Sequence, residues 1–164
     1  MPALVAGFGA GVLHVVPLTK ALTCCLIVPL ASFAAIMLEQ KSSNITGNID
    51  LNRGIVLGLL TGIFAALFGS FFDIFITFVT RNNDLLTAFG DLTEIVDTFP
   101  VPENVKRESL NLMNSVAQSI RETGFSAIYS FTVIFNNLIV DSIFGVIGGI
   151  IGTKVVNAKN VKGN

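Results

Sequence analysis

This chain of 164 residues contains three apolar stretches that are each long enough to cross a lipid bilayer. Residues 54–80 and residues 125–153 each contain a single charged side chain, and residues 2–38 contain one lysine, one histidine and no acidic residue. An α-helix rises about 1.5 Å per residue and the hydrocarbon core is about 30 Å thick, so about 20 apolar residues span it. The sequence therefore predicts an all-α integral membrane protein surrounded by membrane lipid.

The composition supports the membrane class and limits the kinds of partner. Hydrophobic residues make up 52% of the chain and charged residues 13%, and its 15 glycines are typical of membrane helices. The net charge of −1 gives no electrostatic attraction for nucleic acid, so we predict no nucleic-acid partner. Adjacent residues on a helix point about 100° apart. Cys24 and Cys25 therefore cannot form a disulfide with each other, and we expect buried, reduced thiols.

The first apolar stretch is too long for one straight span and is interrupted near its middle. Pro17 disfavours a continuous helix and Lys20 prefers water or lipid headgroups, so we expect a turn at a membrane surface. The predicted fold therefore opens with a tight hairpin of two membrane helices, residues 3–16 and residues 21–38. A single kinked span over the same stretch is the alternative, and it reduces the number of crossings from four to three.

Residues 84–122, which lie between the two later spans, have the periodicity of amphipathic helices. Apolar residues recur at helical spacing over residues 84–99 and over residues 103–122, and two prolines separate these segments. Residues 82–123 contain seven acidic and three basic side chains. Helices that bind a membrane surface usually carry lysine and arginine on the polar face. The acidic composition therefore favours packing on protein, with the membrane interface as the alternative.

Basic residues set the expected orientation. Lys41 and Arg53 lie in the polar loop of residues 39–53, and three lysines lie in the basic tail of residues 154–164. The positive-inside rule places the loop and the C-terminus in the cytoplasm and the acidic insert on the opposite side. Together these segments predict one membrane domain, residues 1–164, with four membrane helices.

Glycines four residues apart are the strongest local pattern in the membrane segments. Small residues at this spacing let helix backbones approach closely in lipid. The pattern predicts helix packing within the chain, with packing between copies or against other subunits as the alternative. The glycines that we expect at helix contacts are Gly54, Gly58 and Gly62 in one span and Gly145, Gly149 and Gly152 in the last.

Four polar residues within the apolar stretches form a candidate intramembrane polar site: Asp141, Asn137, Asp73 and His14. A carboxylate at membrane depth is costly, so it is a functional-site candidate by default. Counted along ideal helices, Asp141 lies near mid-membrane, with Asn137 one turn away on the same face, and Asp73 lies near the outer interface. If the first helix starts on the inner side of the membrane, His14 also lies toward the outer side, which allows a contact between His14 and Asp73. The structural interpretation is a water-exposed Asp73 and an Asp141 that is neutral or hydrogen-bonded between helices. The functional alternatives are an ion or proton path and the binding of a partner or cofactor.

The sequence contains no motif that predicts catalysis. It lacks the phosphate-binding loop, the HExxH zinc motif and the CxxCH haem-attachment motif, and its single histidine excludes bis-histidine haem ligation within one chain. We therefore predict a protein that is not an enzyme and that has no catalytic residue, no cofactor and no metal site.

The order of these parts resembles small bacterial integral membrane proteins that are classed only as domains of unknown function. The features that carry the resemblance are the acidic insert, the vicinal cysteines, and the segments GIVLGLLTGIFAALFG (residues 54–69) and FGVIGGIIGTKV (residues 144–155). The resemblance implies a multi-pass protein of the bacterial cytoplasmic membrane. It implies no activity and no functional residue.

These observations favour a non-catalytic function. We expect a small accessory or structural subunit that packs against other membrane subunits or against copies of itself. The alternative is a small channel or transporter in which Asp141, with Asn137, forms the mid-membrane polar site.

Overall fold

A computed structural model describes residues 1–16, 20, 22–43 and 47–162, and all regular structure in these residues is helical. The all-α class predicted from the sequence is therefore confirmed. In chain order the α-helices are α1 (Pro2–Leu13), α2 (Val28–Ser42), α3 (Leu51–Thr80), α4 (Asp84–Thr87), α5 (Phe89–Thr98), α6 (Glu103–Thr123) and α7 (Ala127–Lys162). A short π-helix, Thr23–Ile27, leads directly into α2.

Within the described part of the chain, three helical stretches are long and apolar enough to cross a bilayer: Cys25–Ser42, Leu51–Thr80 and Ala127–Asn160. Helix α1 is equally apolar but has 12 residues. It is about 18 Å long, which is shorter than the hydrocarbon core. Three crossings are therefore supported by length and composition, and the turn expected at Pro17 lies outside the described residues.

The chain divides into two compact units, one formed by Met1–Asp73 with Val133–Asn164 and the other by Ile74–Thr132. In the first unit, the fully buried side chains of Ala10, Val28 and Ala65 form one apolar cluster, which joins α1, α2 and α3. A second cluster consists of Ile36, Ile49 and Val156 and joins α2, the loop before α3, and α7. Small residues dominate the first cluster because the helices pack at short distances there.

Helices α3 and α7 are antiparallel neighbours that touch through glycines. A Cβ atom on Gly58 would lie 2.9 Å from the Gly149 Cα, and one on Gly145 would lie 3.0 Å from the Gly62 Cα. A Cβ on Gly54 would overlap the side chain of Thr153. Only glycine permits this approach, so the spacing of four residues places the two backbones in direct contact.

The other two helices of the first unit pack against this pair. A Cβ on Gly7 would lie 2.8 Å from the Thr61 carbonyl oxygen, and one on Gly11 would lie 2.9 Å from the Gly69 nitrogen. Helix α1 therefore runs along α3 in the same direction. Helix α2 runs along α7, where a Cβ on Gly152 would lie 3.1 Å from the Phe33 Cα.

The acidic insert forms three helices, α4, α5 and α6, where the periodicity predicted two. The helical pattern is interrupted at Ala88, between α4 and α5. The proline at 100 follows Phe99, whose backbone is extended, as expected for a residue that precedes proline. Helix α7 continues without a break to Lys162, so residues 154–162 of the expected tail are helical.

Candidate functional site

The centre of the candidate site is a contact between His14 and Asp141 in the first unit. The His14 Nε2 atom lies 3.0 Å from the Asp141 Oδ2 atom, and the side chains are 12% and 1% exposed. Side chains of a helix lean toward its N-terminus. Because α1 and α7 run in opposite directions, the side chain of His14, directly after α1, and that of Asp141 lean toward each other.

The contact has hydrogen-bond length but poor direction. Among the described residues, Nε2 and Oδ2 make no well-directed hydrogen bond, either to each other or to another group. The separation of 3.0 Å is nevertheless within hydrogen-bond range for these two atoms.

A second polar contact lies about one helical turn from the first. Asn137 precedes Asp141 by four residues on α7, and its Nδ2 donates a hydrogen bond of 3.1 Å to the Ser70 hydroxyl on α3. The hydroxyl of Ser70 is buried, and the amide supplies the partner that a buried polar atom requires.

The third contact joins Lys20 to Asp73 at 3.0 Å. The side chains are 39% and 16% exposed, so this pair is the most accessible of the three. The sequence allowed a contact between His14 and Asp73, and the structure instead pairs His14 with Asp141 and Asp73 with Lys20. The two acidic residues therefore belong to separate contacts.

The three contacts form a polar ladder that is most exposed at one end. The exposed fraction is 1% at Asp141 and at Ser70, 16% at Asp73 and 39% at Lys20. We call the Lys20–Asp73 contact the lysine end. In the other direction lies the glycine end, the contact of Gly54 and Gly58 with α7, where the helix backbones touch. The ladder therefore leads from a buried acid toward the lysine end.

The site has few groups for metal binding or for nucleophilic chemistry. Within the described ranges, no three His, Cys, Asp or Glu side chains converge. Cys25 lies on the exposed surface, so the expected burial is wrong for this residue. The side chain of Cys25 lies on the surface of the π-helix Thr23–Ile27, within the apolar stretch of residues 2–38.

The sequence proposed Asp141, Asn137, Asp73 and His14 as candidates, and it predicted neither Ser70 nor the observed pairing. Ser70 lies three residues before Asp73, on the same face of an ideal helix, which is a signal that could have identified it. The His14–Asp141 contact depends on how far α1 is shifted along its neighbours, and helical periodicity does not contain that shift.

Comparison with known proteins adds no name to this arrangement. No protein-family model, no curated protein and no solved structure matches the chain. The resemblance to small bacterial membrane proteins therefore stays a prediction.

Proposed function

We propose that the chain is a non-catalytic membrane protein that serves as an accessory or structural subunit, in a complex with other membrane subunits or with copies of itself. The observation that carries this proposal is a set of exposed apolar side chains on the acidic insert, which we call the apolar stripe. It consists of side chains that are 38–54% exposed: Ile95, Phe99, Val101, Val105 and Leu112. Apolar surface of this kind on a short polar insert favours contact with another protein.

The charge of the insert supports a protein partner over a lipid surface. Residues 82–123 contain seven acidic and three basic side chains, so the segment has a net charge of −4. Anionic headgroups repel such a segment, whereas the apolar stripe still gains from contact with a protein surface. The C-terminal part of the same face of α6 is already covered, because Val116 and Ile120, one and two turns after Leu112, are buried.

The glycine contacts provide no additional surface for assembly. Gly58, Gly62, Gly145 and Gly149 pack against one another within one chain. The proposal therefore rests on the insert, and its test belongs there.

The test compares two substitutions of neighbouring exposed residues on α6. Leu112→Gln removes part of the apolar stripe, and Asn111→Gln changes a polar neighbour and serves as the matched control. Native mass spectrometry of gently solubilised membranes should show the wild-type chain of 17.4 kDa mainly in larger complexes. We expect Leu112→Gln to weaken the complex about tenfold, which corresponds to about 1.4 kcal/mol, and Asn111→Gln to leave it unchanged. A wild-type protein found only as a monomer would contradict the proposal.

The proposed arrangement in the membrane has four crossings, with the C-terminus in the cytoplasm of a bacterial cell. The packing of α1 along α3, together with the Lys20–Asp73 contact, supports a first hairpin that reaches the lysine end of the bundle. The loop of residues 39–53 and the lysines after residue 153 support the cytoplasmic assignment through the positive-inside rule.

A small channel or transporter with its mid-membrane acid at Asp141 is the second candidate. The observation that favours it is the ionisable pair His14–Asp141 buried among apolar helices. In sealed proteoliposomes this candidate predicts a flux of protons, sodium or small anions that Asp141→Asn abolishes. Absence of flux from the wild-type protein removes the candidate and leaves the subunit proposal unaffected.

A further inference from the structure

The elements around the His14–Asp141 contact bring little other charge to its level. Helix α1 contains no charged side chain, and α3 contributes Asp73, which already pairs with Lys20. The exposed thiol of Cys25 belongs to the π-helix. The remaining charged groups described on these helices lie toward or beyond the glycine end: Glu39, Lys41, Arg53, Lys154 and Lys159. The contact must therefore balance its own charge.

The charge of the pair depends on the number of protons that it holds. A neutral imidazole beside a carboxylate has a net charge of −1. One additional proton gives a net charge of zero, either as imidazolium with carboxylate or as neutral imidazole with carboxylic acid. Because Asp141 is 1% exposed, an uncompensated negative charge there would be strongly disfavoured.

We propose that His14 and Asp141 form a proton-binding site that holds one dissociable proton at neutral pH and exchanges it with the lysine end of the ladder. The site is independent of the subunit function proposed above, because it requires neither assembly nor transport across the membrane. Its ligand is the proton itself.

The route of exchange follows from the polar ladder. The Asn137–Ser70 hydrogen bond lies about one turn from Asp141, and Asp73 lies about one turn beyond Ser70. Toward the glycine end, a Cβ on Gly62 would lie 3.0 Å from the Ser142 Cα, so backbone atoms fill the space between α3 and α7. Polar side chains therefore lie at successive turns toward the lysine end, whereas closely packed backbone atoms fill the other direction, so the proposed route of exchange leads to the lysine end.

The protonation state is measured on the full chain in lipid nanodiscs at neutral pH. His14 is the only histidine, so nitrogen-15 NMR of labelled histidine reports this imidazole alone. Infrared spectroscopy detects a protonated carboxyl group, and its absence from Asp141→Asn assigns the band, with Asp73→Asn as the control that retains it. Imidazolium with no protonated carboxyl, or neutral imidazole with one, supports the proposal. Neutral imidazole with no protonated carboxyl, or imidazolium with one, overturns it.

The route is tested by hydrogen–deuterium exchange of the His14 imidazole N–H. Ser70→Ala and Asn137→Leu interrupt the ladder, and Thr61→Val is the matched control because it removes a buried hydroxyl outside the ladder. We expect exchange to slow about tenfold in the ladder variants and to change less than about twofold in Thr61→Val. Equal rates in wild type and both ladder variants, or equal slowing in Thr61→Val, overturn the route. Ser70→Ala is the milder change and decides the question if Asn137→Leu does not fold.

Discussion

At the scale of single residues, two glycines on α1 distinguish close packing from open surface. A Cβ on Gly11 would lie 2.6 Å from the Phe68 Cβ, whereas a Cβ on Gly9 would meet nothing within 4 Å. We expect Gly11→Ala to lower the free energy of unfolding by about 1–3 kcal/mol, because α1 must move away from α3. Gly9→Ala should be neutral or raise it by up to about 1 kcal/mol, because alanine favours the helix. Reversible unfolding in mixed detergent micelles measures both values.

Equal effects of the two substitutions would contradict the packing of α1 on α3. A loss of stability in Gly9→Ala alone would place the opposite face of α1 against its neighbours.

The His14–Asp141 contact is also tested as an interaction energy. In a double-mutant cycle with His14→Gln and Asp141→Asn, we expect a coupling of about 0.5–2 kcal/mol, in the range of polar contacts between membrane helices. The Lys20–Asp73 contact is the control, and its greater exposure predicts a coupling below about 1 kcal/mol. The same unfolding assay measures the coupling energy. A coupling energy of zero between His14 and Asp141 would show that the two side chains do not interact.

These residues show what could be predicted from the sequence. Asp141 is the single charged residue in a long apolar segment, so the sequence alone was sufficient to propose it as a candidate. Its partner was not predicted, because the relative shift of α1 and α7 is decided by glycine contacts at Gly7, Gly11 and Gly69 that involve the whole bundle. Local periodicity contains no information about that shift.

At the scale of elements, the end of α6 depends on one glycine. Gly124 has φ of 80° and follows the helix, and its nitrogen donates a 2.8 Å hydrogen bond to the Ile120 carbonyl oxygen. A Cβ there would also lie 3.1 Å from the Phe78 Cα. We expect Gly124→Ala to lower the free energy of unfolding by about 1–3 kcal/mol, through backbone strain and the clash with Phe78. Gly90→Ala, in open space on α5, is the control and should change stability little.

If Gly124→Ala unfolds at the same denaturant concentration as wild type, the left-handed conformation at this helix end is wrong. Circular dichroism during denaturation is sufficient to decide it.

The sequence predicted the presence of the long helices better than it predicted the residues at which they begin and end. Long apolar runs predict spans at 54–80 and 125–153, and the structure has helices Leu51–Thr80 and Ala127–Lys162 there. The insert was predicted as two helices because apolar residues continue in phase through Ala88. The structure interrupts the helix at that residue, and the apolar pattern alone does not reveal the break.

At the scale of the whole molecule, substitutions of the contact glycines test the folding of one chain and do not test its assembly with other chains. Because Gly58 and Gly149 pack against each other within one chain, replacing them with leucine tests folding. We expect Gly58→Leu to yield a destabilised or misfolded chain in detergent, whether or not a complex exists. A folded Gly58→Leu variant with wild-type thermal stability would contradict the α3–α7 contact.

The proposed arrangement of the chain in the membrane has four crossings, with the first apolar stretch as a hairpin, whereas length and composition alone support three. It is tested most directly by the side of the membrane on which residues 2 and 22 lie. Single cysteines replace Pro2 or Leu22 in a background that lacks Cys24 and Cys25, and Ser43→Cys marks the side of the loop before α3. A membrane-impermeant thiol reagent should label position 2 from the same side as position 43, and position 22 from the opposite side. Labelling of positions 2 and 22 from the same side would contradict the four-crossing bundle.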